Sequence, residues 1–348
     1  MQNFEVDSIP HYLVNLGGED LWDDEACAED VKLIAEELAN FWGQIPYSDY
    51  RYLNVIAEGG GGLEHHDCTL MLTGRWTWGD EDRRKGWFGL VSHEHFHAWN
   101  GKRLRPEALG PFDYEQEVFT PDLWFVEGFT SYYDDLLIAR AGLLDQKEYL
   151  ERLGKGIDGV QKTPGRLVLP LSRASTDAWI RYYQRDENSV NSQISYYTKG
   201  AIVAWLLDAR IRTASQHQKT LDDAMRLAYS RYSGERGYSH DQLFSVFEEI
   251  AGVDLDDWFA RFIDGTDELE YGEALDVFGL RFKSEEEEDE KEEEEKEDPV
   301  PGWLGIDASE SNGRWVVTRV RRGTPAYHVG LNTGDELLAL NKYRVNSG

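Results

Sequence analysis

Apolar and polar positions divide this chain into a strand-bearing front part and a helical remainder. Asp24 to Trp42 is amphipathic with a helical period, and Tyr52 to Ala57 and Cys68 to Thr73 read as strands separated by the glycines at 59–62. From Arg84 to Asn100, Trp87, Leu90, Val91, Glu94 and Ala98 recur at helical spacing with no turn signal between them. A further helix is expected from Pro121 to Ala139, opened by Pro121 and Asp122. Others follow at Gln146–Val160, Ser195–Ala214, Leu221–Tyr232 and Ser239–Ile250, with a short one at Asp256–Ile263. A sheet followed by many helices defines an α+β class.

At 348 residues the chain can hold one sizeable core and a smaller module. Its net charge is −30, of which Ser284 to Asp298 contributes −10 through 12 acids and 2 lysines. Such a run is expected to be an extended, solvated linker. The remaining −20 argues against nucleic-acid partners and anionic membrane surfaces. No apolar run reaches membrane-spanning length, and no secretory pattern opens the chain at Met1. These features imply a cytoplasmic protein, with the periplasm as the other reading if an N-terminal segment is missing. Cys27 and Cys68 lack the number and spacing of a disulfide framework or zinc ribbon. No Gly-x-Ser-x-Gly elbow supports a serine hydrolase, and no Gly-Lys-Ser/Thr follows the glycines to make a phosphate loop.

The chemistry concentrates in His93-Glu94-His95-Phe96-His97. On a helix His93 and His97 project from one face and can share a zinc ion, with Glu94 placed as general base toward a water at the metal. On a strand, His93, His95 and His97 would instead line one side, as in a three-histidine site. The helical spacing of the flanks decides for the first arrangement, and about 200° of helical rotation takes His95 off the ligand face. Glu127 is the natural third ligand. It lies among Leu123, Trp124, Phe125, Val126 and Phe129, where a carboxylate needs a partner such as a metal.

His93-Glu94-x-x-His97 followed by Trp124-Phe125-x-Glu127-Gly128-x-Thr130 resembles the gluzincin metallopeptidases. HEHFHAWNGKRLRP from His93 and GGLEH from Gly61 are similar to the glycyl aminopeptidase family within them. The resemblance implies a thermolysin-like catalytic domain with a mixed-sheet lobe and a helical lobe. It also implies a single zinc ion on His93, His97 and Glu127, and peptide substrates with a free N-terminus. By the same resemblance Gly61 and Gly62 admit a substrate backbone at a sheet edge, and Glu64 anchors the substrate ammonium. Tyr197 matches the tyrosine that donates to the oxyanion, with Tyr196 as the less favoured alternative. His65, His66 and His95 are expected at the surface or behind the ligands, while Trp99 and Asn100 match family positions without an assigned chemistry.

After the acidic run, Gly302-Trp303-Leu304-Gly305-Ile306 and Gly323-Thr324-Pro325-Ala326 resemble a PDZ domain, which implies capture of a peptide C-terminus at Trp303–Ile306. The expected organisation is a catalytic domain at 1–283, a linker at 284–299 and a partial PDZ domain at 300–348. An N-terminal β-domain usual in the family is nearly absent, so the chain is expected to be a fragment. The activity implied is a zinc aminopeptidase for small first residues, glycine and then alanine. The alternatives are a zinc endopeptidase and a catalytically silent PDZ-type peptide-binding adaptor.

Overall fold

The protein is described by a computed structural model covering residues 1–18, 20–283 and 302–345. The acidic run Ser284–Asp298 lies outside the described residues. A five-stranded sheet in the order β1-β2-β3-β5-β4 forms the front lobe, from β1 (Gln2–Val6), β2 (Ile9–Leu16), β3 (Tyr50–Ile56), β4 (Gly61–Glu64) and β5 (Cys68–Thr73). β2, β3 and β5 run parallel, with Leu13 opposite Tyr52 and Tyr52 opposite Thr69, while β1 and β4 are antiparallel edges. The glycine-rich stretch is therefore partly an edge strand, its residues Gly61–Glu64 paired with Leu72–Thr69.

Helix α1 (Asp24–Trp42) starts where the Asp23 carboxylate accepts from the Ala26 amide at 3.1 Å, which satisfies an otherwise unpaired end group. It packs on β1 and on helices α2 (Glu81–Phe96) and α3 (Thr130–Arg140), with Val31, Ile34 and Leu38 fully buried. Helix α2 starts at an Asp80 cap and ends at Phe96 rather than running on to Asn100. The amides of Ala98 and Trp99 bond three residues back, to His95 and Phe96, and Gly101 turns the chain with φ +116°. His97 nevertheless keeps helical angles and its bond to the His93 carbonyl, so the four-residue spacing survives.

The expected helix at 121–139 divides into a π-turn at Trp124–Phe129 and α3. Asn100 takes up the carbonyls of this wider turn, donating from Nδ2 to Phe125 O at 3.2 Å and Val126 O at 3.1 Å.

The helical lobe continues with α4 (Gln146–Gln161), α5 (Leu171–Thr176), α6 (Ser189–Ser192), α7 (Tyr196–Ala214), α8 (Leu221–Tyr232), α9 (His240–Ala251), α10 (Asp256–Phe262) and α11 (Gly272–Phe278). Helix α7 is its buried axis, with Val203, Ala204 and Leu207 fully covered. It crosses the π-turn backbone to backbone. A Cβ on Gly128 would meet the Gly200 Cα at 2.5 Å, and one on Gly200 would meet the Trp124 carbonyl oxygen at 2.6 Å.

Beyond the undescribed run lies a small module: a β6 (Ile306–Ser311)–β7 (Arg314–Val320) hairpin, α12 (Pro325–His328), and the short pair β8 (Ala339–Leu340) and β9 (Tyr343–Arg344). Val317, Val320 and Ala326 form its own core. Asn191 ties it to the helical lobe by donating to Val320 O at 2.9 Å and accepting from the Arg322 amide at 2.8 Å. No helix among the described residues is long and apolar enough to cross a membrane.

Candidate active site

His93, His97 and Glu127 converge where α2 faces the π-turn. Glu127 Oε2 lies 3.3 Å from His93 Nε2 and 3.2 Å from His97 Nε2. The opposite ring nitrogens are spoken for: His97 Nδ1 donates to Asn100 O at 2.8 Å, and His93 Nδ1 meets Asp134 Oδ2 at 2.9 Å. With Nδ1 as the donor, each neutral ring turns a bare Nε2 toward a carboxylate oxygen, so three acceptors face one another and only a cation can satisfy them. In its absence the carboxylates hold protons on the rings. Burial pulls the His93 imidazole down, but Asp134 and Glu127 outweigh it and hold it well above the usual range. Burial likewise lowers His97, and Glu127 more than restores it. Burial pushes Glu127 up, yet His97 and His93 bring it below the usual carboxylate range. Two imidazole nitrogens and one carboxylate oxygen fit the donor set of a catalytic zinc centre, which leaves a coordination position for a reacting group.

Glu94 stands on the next residue of the helix, 5 % exposed, with Oε2 buried and without a hydrogen-bond partner among the described residues. Burial pushes its carboxyl up to about 7, against the pull of His97 and His93. Gly62 makes room for it: a Cβ there would sit 2.3 Å from the Glu94 carboxylate. Tyr197 lines the same cleft, its ring 6.3 Å from that of His93, and its hydroxyl lies 3.5 Å from the Tyr183 hydroxyl. Burial and then the Glu127 charge raise that phenol above its usual range, so it is a hydrogen-bond donor at neutral pH. Tyr196 is 1 % exposed and does not line the cleft.

Glu64, at the end of β4, also lines the cleft, and it is already paired: Lys102 Nζ lies 2.8 Å from Oε1. Burial pushes the Glu64 carboxyl up, but His97 and Lys102 together hold it below the usual value. Lys102 is itself buried beneath Phe112, whose ring centroid is 4.9 Å from Nζ.

His95 is a core residue, fully buried and bonded to the hydroxyls of Tyr47 at 2.6 Å and Tyr52 at 2.8 Å. His65 and His66 are exposed on the turn after β4. Four residues that matter here were not singled out for this chemistry from sequence: Asp134, Asn100, Lys102 and Arg152. Asp134 had a signal, since it follows Glu127 by two helical turns. Asn100 and Lys102 depend on how the chain folds back after His97, which spacing does not encode.

The cleft has the donor arrangement of a metallohydrolase, with two histidines and a carboxylate together, a second carboxylate buried beside them and a sheet edge along one side. Residues 86–203 match the M61 glycyl aminopeptidase family. The crystal structure of an aminopeptidase N family protein from Idiomarina loihiensis matches with a TM-score of 0.88 and 29% identity, covering 99% of this chain and 60% of that one. An M1 zinc metallopeptidase from Deinococcus radiodurans, solved with a Tyr-Ser-Ala substrate, gives 0.49 and 16% over 78% of this chain and 52% of its own. The chain thus spans about 60% of the length of the Idiomarina structure. None of the curated proteins matches it. The family match and the Idiomarina structure together support a peptidase of mixed α+β, aminopeptidase-like fold.

Proposed function

We propose that the chain is a zinc aminopeptidase that removes a small first residue, glycine and then alanine, from peptides with a free N-terminus. The convergence of His93 Nε2, His97 Nε2 and the Glu127 carboxylate within one cleft carries the reading. Zinc held by these three residues would supply Lewis acidity to the scissile carbonyl and to a water beside it. Glu94 takes the proton of the attacking water and delivers it to the leaving amine, a role suited to a carboxyl held near neutrality. Tyr197 donates its hydroxyl to the oxygen on which negative charge develops. The substrate backbone runs along the outer edge of β4 at Gly61 and Gly62, and Glu64 receives the α-ammonium with the oxygen that Lys102 leaves free. The glycine preference is that of the matched family. The catalytic body is 1–283, and the module at 302–345 is PDZ-like, its Trp303–Ile306 loop taking a peptide carboxylate.

The Lys102–Glu64 pair favours one second reading, a zinc endopeptidase, because an ammonium already neutralises the proposed anchor. Zinc-loaded protein given a glycine-led peptide and its N-acetylated copy separates the two. Cleavage of the free peptide alone, between residues one and two, is the expected result. Internal cleavage of both would overturn the aminopeptidase reading and leave Glu64 as a structural partner of Lys102.

A further inference from the structure

The cleft of about 480 Å³ that contains the metal-ligand trio extends past it to a guanidinium, that of Arg152 on α4. Glu64 and Arg152 stand at opposite ends along α2. Glu64 is held by Lys102, beyond His97, whereas Arg152 lies beside Gly89, one turn before His93. A Cβ on Gly89 would sit 3.6 Å from Arg152 Nη1. Gly86 and Gly89 put no side chain into this end, and the metal ligands lie between the two charges. The eight residue steps from Gly89 to His97 rise about 12 Å, which matches two or three extended residues at about 3.5 Å each once contact distances at both ends are allowed.

We infer that Arg152 is a subsite for the C-terminal carboxylate of the substrate, so that the cleft selects zwitterionic di- and tripeptides. This inference rests on the aminopeptidase reading above, since it takes the ammonium end to be at Glu64. Arg152 pairs through Nη1 with Asp135, and among the described residues its Nε and Nη2 make no hydrogen bond. That leaves a donor edge of the guanidinium for a second carboxylate, the geometry at which arginine excels. In a chain of net charge −30, whose cleft also holds Glu64, Glu94, Glu127, Asp134 and Asp135, a free carboxylate is repelled unless a cation is placed to receive it. Arg152 is the one arginine or lysine among the cleft's lining residues, and it lies away from the metal-ligand trio. The plainer role, a tie between α3 and α4 through Asp135, accounts for Nη1 alone.

The test compares Gly-Ala with Gly-Ala amide on zinc-loaded protein, and repeats the comparison with Arg152→Gln and Arg152→Lys. The acid-to-amide ratio of kcat/KM is internal to each protein, so loss of folded enzyme does not change it. A preference of about tenfold or more for the acid is expected, one charge-assisted contact in scale. It should fall to near one in Arg152→Gln and survive in part in Arg152→Lys. A ratio near one in the parent, or an undiminished ratio in Arg152→Gln, overturns the proposal. If neither dipeptide is cut, the aminopeptidase reading fails, and calorimetric affinities of Glu94→Gln protein for the same two compounds decide the subsite separately. Tighter binding of the acid that Arg152→Gln abolishes supports it, and equal or absent binding overturns it.

Discussion

Gly62 and Glu94 occupy a space that can hold only one side chain. A methyl group at Gly62 would lie 2.3 Å from the Glu94 carboxylate, so the proposed base must move if the strand grows a side chain. Gly62→Ala should therefore cut kcat by about 100-fold or more, the scale on which a misplaced catalytic group is felt, while zinc content measured by metal analysis stays at one ion. Asp134 acts through His93, fixing the ring so that Nε2 faces Glu127. Asp134→Asn should weaken zinc by about 10- to 100-fold in a chelator competition titration, since the outer carboxylate sets both orientation and basicity of the ligand. At this scale His93, Glu94 and His97 were legible because helical spacing brings them together, and Glu127 because a carboxylate among apolar neighbours needs a partner. Lys102 was not, because its approach to Glu64 depends on the Gly101 turn, and neither partner's sequence neighbours announce it.

The elements that hold the site are joined by ion pairs as well as packing. His240, the first residue of α9, bonds through Nδ1 to Asp122 ahead of the π-turn, and its Nε2 lies 3.8 Å from Asp264. Burial lowers that imidazole, but Asp122 and Asp264 outweigh it and raise it to about 10. Because the folded value exceeds the value near 6.5 of an unfolded histidine, this stabilisation is full below about pH 6.5 and fades as pH rises toward 10. The melting temperature should fall between pH 7 and pH 10, and His240→Gln should flatten that slope. An unchanged slope in the variant would remove the pair from the account. Most of the larger helices were legible from periodicity and caps, with boundaries within about one residue from α4 to α10 where they were expected. The π-turn was not, since one extra residue in a turn leaves the apolar pattern nearly intact while shifting which carbonyls are free. The strands β1 and β2 also escaped notice, because Gln2–Leu16 alternates only loosely and carries no strong turn signal.

Over the whole molecule, the acceptor-rich trio would make the proposed cation part of the folding free energy. Three carboxylate and imidazole groups that repel or must protonate in its absence are satisfied together when it binds. Zinc at about 1,000 times its dissociation constant should stabilise the protein by about 4 kcal/mol, visible as a rise of several degrees in the melting temperature. Removal by a chelator should abolish turnover and reverse the shift, and re-addition should restore both. If stability ignored the metal, the trio would be satisfied by protons in the working enzyme. The arrangement of sheet lobe before helical lobe was legible in the chain, but how the module at 302–345 meets α6 through Asn191 was not, since the Asn191 side chain there bonds only backbone groups, which any sequence carries.

The crossing of Gly128 and Gly200 ties together parts of the site that arise far apart in the chain. Gly128 follows Glu127, the proposed ligand, and Gly200 comes three residues after Tyr197, so the separation of that carboxylate and the hydroxyl is gauged by two bare backbones in contact. Neither position can be enlarged singly, and enlarging both makes the collision worse, so no compensating pair exists. A saturation-mutagenesis map scored for activity should therefore show two isolated columns that accept glycine alone, set among apolar neighbours that exchange freely with one another. Drift in this protein can reshape the lobes on either side, but not the gauge between them.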